Sequence, residues 1–246
     1  MDRVAVVSDI HGNRWALEAV LEDIAGRDVG RILNLGDSLY GPLDPAGTAG
    51  ILIGLDVTSI RGNEDRIILE TRDVESSPTL HFVRDALDER HRRWLAALEP
   101  TLVIDEFLLC HGTPSSDTEY LIREVHPDGV TDRAPEATAA ILGPVDRRVV
   151  LCGHDHVPGE LELPGGAFIV DPGSVGLQAY KDDAPFPHVM QAGSPHARYA
   201  LLEQRADGWT FESVTVHYDW EAAAVKAESN GRPDWAVWLR TGKAEL

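Results

Sequence analysis

Residues 4–13 read VAVVSDIHGN. The valine-rich apolar run Val4 to Val7 stops abruptly at Ser8. A run this short, closed by polar residues and glycine, reads as a buried strand. Asp9 and His11 then stand just past its C-terminal end, the edge where sites gather in open α/β sheets. A carboxylate and an imidazole two residues apart can reach one point on the same side of the chain, so the pair reads as the start of a metal site.

The same device recurs along the chain. Arg31 to Leu35 is a second strand and closes on Gly36 and Asp37, and Asp56 to Ile60 is a third, closing on RGNED with Asn63 and Glu64. Thr101 to Cys110 reads as a hairpin ending in His111, and Arg148 to Cys152 as a strand ending in GHDH, with His154 and His156. A glycine beside each cluster lets the backbone turn sharply. The expected metal ligands are therefore Asp9, His11, Asp37, Asn63, His111, His154 and His156. A lone histidine is more often a core or surface residue, and a lone aspartate after a strand is more often a helix cap. Five coincident strand ends reverse that judgement. His81, His91, His126, His188, His196 and His217 lack the context and read as surface or loop residues.

The donor chemistry is coherent. Four imidazoles, two carboxylates and an amide oxygen suit divalent transition metals: Mn, Fe, Zn, Co or Ni. The absence of thiolate donors speaks against a closed structural zinc site. Seven donors are too many for one tetrahedral ion and suit two ions sharing a carboxylate, which clamp the attacking and leaving oxygens of a phosphoryl displacement. Two divalent ions outweigh Asp9, Asp37 and a bridging hydroxide by one charge, which remains for a phosphate. An aspartate at position 63 would cancel it.

Between the strands, Trp15, Leu17, Val20, Leu21 and Ile24 recur at helical spacing behind a plausible N-cap, Asn13. Pro45 to Leu55 reads as a small helix. This alternation predicts a parallel sheet with the strand-end residues on one edge. Residues 64–98 predict two amphipathic helices, the second stopped by Pro100, and residues 115–143 predict helix and loop. Glu160 to Leu163 and Ala167 to Val170 form a hairpin around Pro164, Gly165 and Gly166. Residues 181–196, with Pro185, Pro187, Gly193 and Pro195, read as a loop. Tyr199 to Gln204 and Thr210 to His217 are strands, and the tail from Asp219 carries one or two helices with Trp220, Trp235 and Trp238. With no repeat, low-complexity tract or linker, one domain over residues 1–246 is expected.

Composition bounds the function. Hydrophobic residues are 43% of the 246, enough for a packed core. The net charge of -19 opposes nucleic acid and anionic membrane surfaces as partners. No apolar run approaches the ~20 residues of a membrane span. The first residues lack a basic n-region and an uninterrupted apolar stretch, so a cytoplasmic location is expected. Cys110 and Cys152 lie inside apolar runs, which predicts reduced, buried thiols.

The blocks DIHGN, LGD, RGNED, CHG and GHDH, in that order over residues 9–156, resemble the signature of the calcineurin-like metallophosphoesterase superfamily. DPGSVG, starting at Asp171, resembles its small bacterial phosphodiesterase branch. The resemblance implies a four-layer α/β/β/α sandwich with a dinuclear centre. Asp9, His11 and His156 would hold one ion, Asn63, His111 and His154 the other, and Asp37 would bridge. It implies a hydrolase of phosphoric ester bonds, expected to be a phosphodiesterase acting through a metal-bridging hydroxide on a small, soluble, nucleotide-like ester. A dinucleoside polyphosphate hydrolase is the alternative enzyme. A non-catalytic interaction scaffold is the alternative of another class, and the full set of donors speaks against it. In one place the chain departs from the pattern. The family commonly has a histidine after the asparagine, associated with phosphate contact or leaving-group protonation, and here Glu64 follows Asn63. Glu64 is a candidate catalytic acid if its pKa is raised, and otherwise a helix N-terminal carboxylate. Asp155, where threonine is common, is expected to point away from the metals.

Overall fold

The structure is a computed structural model that describes residues 3–55, 57–72, 77–146, 148–206 and 208–246. In chain order, β1 (Arg3–Val7), α1 (Arg14–Ala25), β2 (Arg31–Asn34), α2 (Pro45–Gly54) and β3 (Thr58–Ser59) come first. Three helices follow, α3 (Asn63–Glu70), α4 (Pro78–Ala86) and α5 (Glu89–Ala96). Then come β4 (Thr101–Ile104), β5 (Phe107–Cys110), β6 (Arg123–His126), β7 (Gly129–Asp132), α6 (Pro135–Leu142) and β8 (Val149–Leu151). The chain ends with β9 (Gly159–Glu162), β10 (Phe168–Asp171), β11 (Ala179–Asp182), β12 (His188–Gln191), β13 (Ala197–Arg205), β14 (Gly208–Val216), α7 (Trp220–Ser229) and α8 (Pro233–Thr241). Among the described residues, no helix is long and apolar enough to cross a membrane.

Two five-stranded sheets carry the molecule, in the orders β14-β13-β1-β2-β3 and β4-β5-β8-β10-β9. The strand-to-strand periodicity explains how they stack. Val4 and Val6 of β1, Phe107 and Leu109 of β5 and Val149 and Leu151 of β8 belong to one cluster between the sheets. Ala5 and Val7 point the other way, into a cluster with Leu17 and Val20 of α1, Ala223 and Ala224 of α7 and Trp235 and Leu239 of α8. Val150 and Ile169 face outward from the second sheet, against Leu142 of α6. Strands buried on both faces read as continuous apolar runs, which is the pattern of Val4 to Val7. The result is the expected α/β/β/α order of layers.

The helices have local causes. The Asn13 side chain accepts the Ala16 N–H at 3.1 Å and so caps α1. Ser77 and Asp88 cap α4 and α5 in the same way. Those two caps divide residues 64–98 into three helices, one more than the sequence predicts.

Other expectations need correction. The strand ends do not lie on one parallel sheet. β1, β2 and β3 are parallel neighbours in the first sheet, while β5, β8 and β10 are parallel neighbours in the second, and antiparallel strands flank both sets. The region 115–143 contains the hairpin β6–β7, and 181–196 contains the end of β11 and all of β12, which pair as a hairpin. Four-residue strands such as AYKD and HVMQ carry too little alternation to stand out from the surrounding proline and glycine. His188 is buried rather than at the surface. Asp56, the expected start of the third strand, lies outside the described residues.

Candidate metal centre

The site forms where the C-terminal ends of β1, β2, β3, β5 and β8 meet, so both sheets contribute. The turns there are unusually tight. Asp9, His11, Asp37, His154 and His156 all have φ between 49° and 75°, and they are five of the seven described non-glycine residues with positive φ. L-residues avoid this region, at a cost of order 1 kcal/mol each. A lattice of backbone hydrogen bonds holds it: Asp9 N–H to the Gly36 carbonyl (3.0 Å), His11 N–H to Asp37 (2.9 Å), Gly153 N–H to His111 (2.7 Å) and Gly176 N–H to Asp9 (2.9 Å). The DPGSVG segment belongs to the same lattice. Ser174 Oγ donates to the Asp9 carbonyl at 2.8 Å. A Cβ at Gly176 would stand 1.7 Å from the Ile10 carbonyl oxygen, so only glycine fits there.

Three of the four expected histidine ligands share one orientation. Nδ1 of His11 faces the Tyr40 carbonyl (3.0 Å), that of His111 the Leu35 carbonyl (2.8 Å) and that of His156 the Leu177 carbonyl (2.6 Å). A carbonyl can only accept, so each Nδ1 carries a hydrogen and each ring turns its Nε2 inward. There they meet. His11 Nε2 and His156 Nε2 are 3.0 Å apart. Asp9 Oδ1, buried and accepting no hydrogen bond, lies 3.4 Å from His156 Nε2, 3.8 Å from His111 Nε2 and 3.9 Å from His11 Nε2.

The second half is built alike. Asp37 Oδ2 is 3.3 Å from His111 Nε2, and Asp37 Oδ1 accepts the Glu64 N–H at 2.8 Å. The inner amide atom of Asn63 lies 3.0 Å from His111 Nε2, 3.1 Å from His154 Nδ1 and 3.3 Å from Asp37 Oδ2. With nitrogen at that position the amide donates to these acceptors. With oxygen there, the amide joins these atoms as part of a donor set that suits a cation. The ligand atoms of Asp9, His11 and His156 lie within 4.8 Å of one another, as do those of Asp37, His111 and His154, and those of His11, Asp37 and Glu64. Convergent, buried oxygen and nitrogen lone pairs without thiolate fit divalent transition ions.

The ionisable groups of the cluster shift one another strongly. Burial pulls His11 down, but the carboxylates of Glu64, Asp37 and Asp9 outweigh it and lift the ring to about 9. Burial likewise opposes His111, which Asp37 and Asp9 raise to about 10. Burial and the neighbouring His111 drive His154 down to about 4, and burial lowers His156 as well. Burial alone would raise Asp9 and Asp37, yet the surrounding imidazoles hold both below the usual carboxylate range. Glu64 is pushed up by burial against the pull of His11.

Several residues of the site escape sequence reasoning. Asp65, fully buried, accepts the Ser38 N–H at 3.0 Å and the Gly62 N–H at 3.2 Å, clamping the Asp37 loop to the start of α3. Burial and Asp37 raise its carboxyl to about 7. Its signal was an acidic residue at the third position of a helix. Tyr180 donates to the His154 carbonyl at 3.0 Å, and Tyr120 contacts both Tyr180 and His188. Above the cluster lies a cleft of about 220 Å³, walled by Tyr40, Tyr180, Lys181, Arg232, Trp235 and Trp238. Trp235 stands edge-on to His11, ring centres 5.8 Å apart. Asp155 is buried, accepts the Val157 N–H at 2.7 Å and lies 3.8 Å from Arg123, away from the convergent donors as expected.

Residues 3–190 match the model of the calcineurin-like phosphoesterase superfamily domain. An uncharacterized protein of Methanocaldococcus jannaschii is 26% identical over 259 residues, covering 94% of each chain. A metallophosphoesterase structure from Sphaerobacter thermophilus superposes with a TM-score of 0.77 at 25% identity, over 98% of this chain and 99% of the other. A hypothetical protein from Pyrococcus horikoshii superposes with a TM-score of 0.76 at 23% identity over all of both chains, a likeness of fold. The matched stretch ends before α7 and α8, so the wall that α8 gives the cleft lies outside it.

Proposed function

As the chain belongs to the calcineurin-like phosphoesterase superfamily, a family of hydrolases of phosphoric ester bonds, we propose that it is a metal-dependent phosphodiesterase hydrolysing a small, soluble, nucleotide-like ester. The observation that carries this reading is the convergence of the imidazole Nε2 atoms and the orphaned Asp9 Oδ1 on common points. Asp9, His11 and His156 would hold one divalent ion and Asn63, His111 and His154 a second, with Asp37 between them. Bound there, such ions supply Lewis-acid stabilisation of phosphoryl charge and lower the pKa of water. The chain's own residues do the rest. The Tyr40, Leu35 and Leu177 carbonyls fix three imidazoles in one tautomer, so binding costs little reorganisation. Asp65 holds the Asp37 and Asn63 loops in register.

The cleft supports a small substrate. At about 220 Å³ it lies below the ~300–1,000 Å³ of common ligand pockets. The net charge of -19 keeps polyanionic nucleic acid away. A second reading, a dinucleoside polyphosphate hydrolase, draws on Glu64. With a carboxylate at this position, a phosphate leaving group, which needs little protonation, is favoured over an alkoxide.

Metal analysis of the purified protein, followed by a panel of cyclic nucleotides, dinucleoside polyphosphates, aryl diesters and monoesters assayed with Mn, tests both readings. Hydrolysis of diesters supports the first, and cleavage only of pyrophosphate bonds supports the second. No bound metal and no turnover of an activated diester would leave the interaction scaffold. In the same assay Asp37→Asn is expected to lower metal occupancy and reduce turnover at least about 100-fold. Two retained ions with near-normal turnover would overturn the bridging role.

A further inference from the structure

Glu64 is the residue at which the chain leaves its family's signature, and its position decides between the roles open to it. It is the second residue of α3, and its backbone N–H is anchored on Asp37 Oδ1 at 2.8 Å. That anchor aims the side chain at the outer side of His11. Glu64 Oε2 lies 3.1 Å from His11 Nδ1. The Nδ1 hydrogen is directed at the Tyr40 carbonyl, 3.0 Å away, and Glu64 Oε2 is buried without an aligned donor of its own. The carboxylate thus faces the hydrogen-bearing edge of His11, while Nε2 on the opposite edge faces His156 and Asp9.

From this juxtaposition we infer that Glu64 is a positioning residue that acts through His11. It fixes the Nδ1–H tautomer together with Tyr40 and makes Nε2 a stronger donor to a divalent cation, as carboxylate–histidine–metal arrangements do. A negative charge beside Nδ1 favours the positive charge that the ring acquires when Nε2 gives its lone pair to a cation. The inference rests on the metal-centre reading above. It assigns Glu64 a role through the outer edge of His11 in place of that of leaving-group acid.

Calorimetric titration of the metal-free protein with Mn tests it, using wild type, Glu64→Gln and Glu64→Ala. In Glu64→Ala one of two binding steps is expected to weaken about 10–100-fold, with the other changed less than about threefold. Glu64→Gln, which keeps an acceptor oxygen, should lie between. In a His11→Ala background Glu64→Ala should have no further effect, because the residue it acts through is gone. An equal loss in that background would make Glu64 a direct ligand and overturn the inference. Should His11→Ala abolish the step outright, the ¹⁵N resonance of His11 Nδ1 decides. It moves between wild type and Glu64→Ala if the carboxylate faces Nδ1, and an unmoved resonance overturns the inference. Unchanged affinities in the single variants, with lost activity, would return Glu64 to the chemistry. A wild-type protein that binds no divalent ion would instead remove the metal-centre reading on which the inference stands.

Discussion

Metal loading should release protons, and the structure sets how many. His11 and His111 both give their Nδ1 hydrogens to backbone carbonyls. Their Nε2 atoms face other acceptors, His156 Nε2 at 3.0 Å and Asp37 Oδ2 at 3.3 Å. Each contact is favourable only with a second hydrogen on the ring, and the neighbouring carboxylates accordingly lift the two pKa values to about 9 and about 10. His154 and His156, both lowered, carry no extra proton near neutrality. At about pH 8 the full site should therefore release about two protons on loading, and apparent affinity should rise about 100-fold per pH unit between about pH 6.5 and pH 9. Titration in buffers of different ionisation enthalpy counts the protons directly. Release near zero at pH 8, or an affinity flat across that range, would refute the second proton on His11 and His111. The same groups fix the sign for stability. Their folded values exceed the ordinary 6.5, so their stabilisation of the metal-free protein is fully present below about pH 6.5 and is lost as pH rises through 9 to 10.

Other outcomes follow from separate parts of the molecule. Burial, with Asp171 nearby, pushes the Cys110 thiol up to about 12 and Cys152 well above its ordinary value, so both should resist thiol reagents in the native protein and react on unfolding. Rapid native labelling would contradict their burial. Gly36 has φ +99°, and an added Cβ would stand 2.4 Å from the Gly62 nitrogen. Gly36→Ala should cost at least about 2 kcal/mol in denaturant unfolding, since it forces the Asp37 and Asn63 loops apart. With no imidazole at position 64, wild type should show a higher kcat/KM for aryl diesters than for alkyl monoesters. Glu64→His should shift that ratio toward monoesters at matched metal occupancy. An unchanged ratio would show that position 64 has no bearing on leaving-group departure.

Much of the candidate site was legible in the sequence because its information is local. An apolar run followed within a few residues by a donor and a glycine is complete in itself at Asp9–His11, at Asp37 and at His154–His156, and the order of the blocks carried the family and the layer order. The sequence could not tell which strand ends belong to which sheet, because strand partnership is settled by packing between distant segments. His11 and His156, which meet at 3.0 Å, are 145 residues apart. The left-handed turns at five of the expected ligands have no compositional mark, since a non-glycine residue holds that conformation only when neighbouring loops bond its backbone. Glu64 illustrates the division. The sequence showed that it replaces a histidine, but its role depends on which edge of His11 it faces. That is set by the anchoring of α3 on Asp37 and by the turn that presents His11. Trp235 and Arg232 of the C-terminal wall likewise reach the cleft only because α8 packs on the helix face of the first sheet. Chemistry that resides in a few consecutive residues was written in the sequence. Orientation, tautomer and the walls of the cleft required the tertiary structure, because they arise from contacts that no local stretch contains.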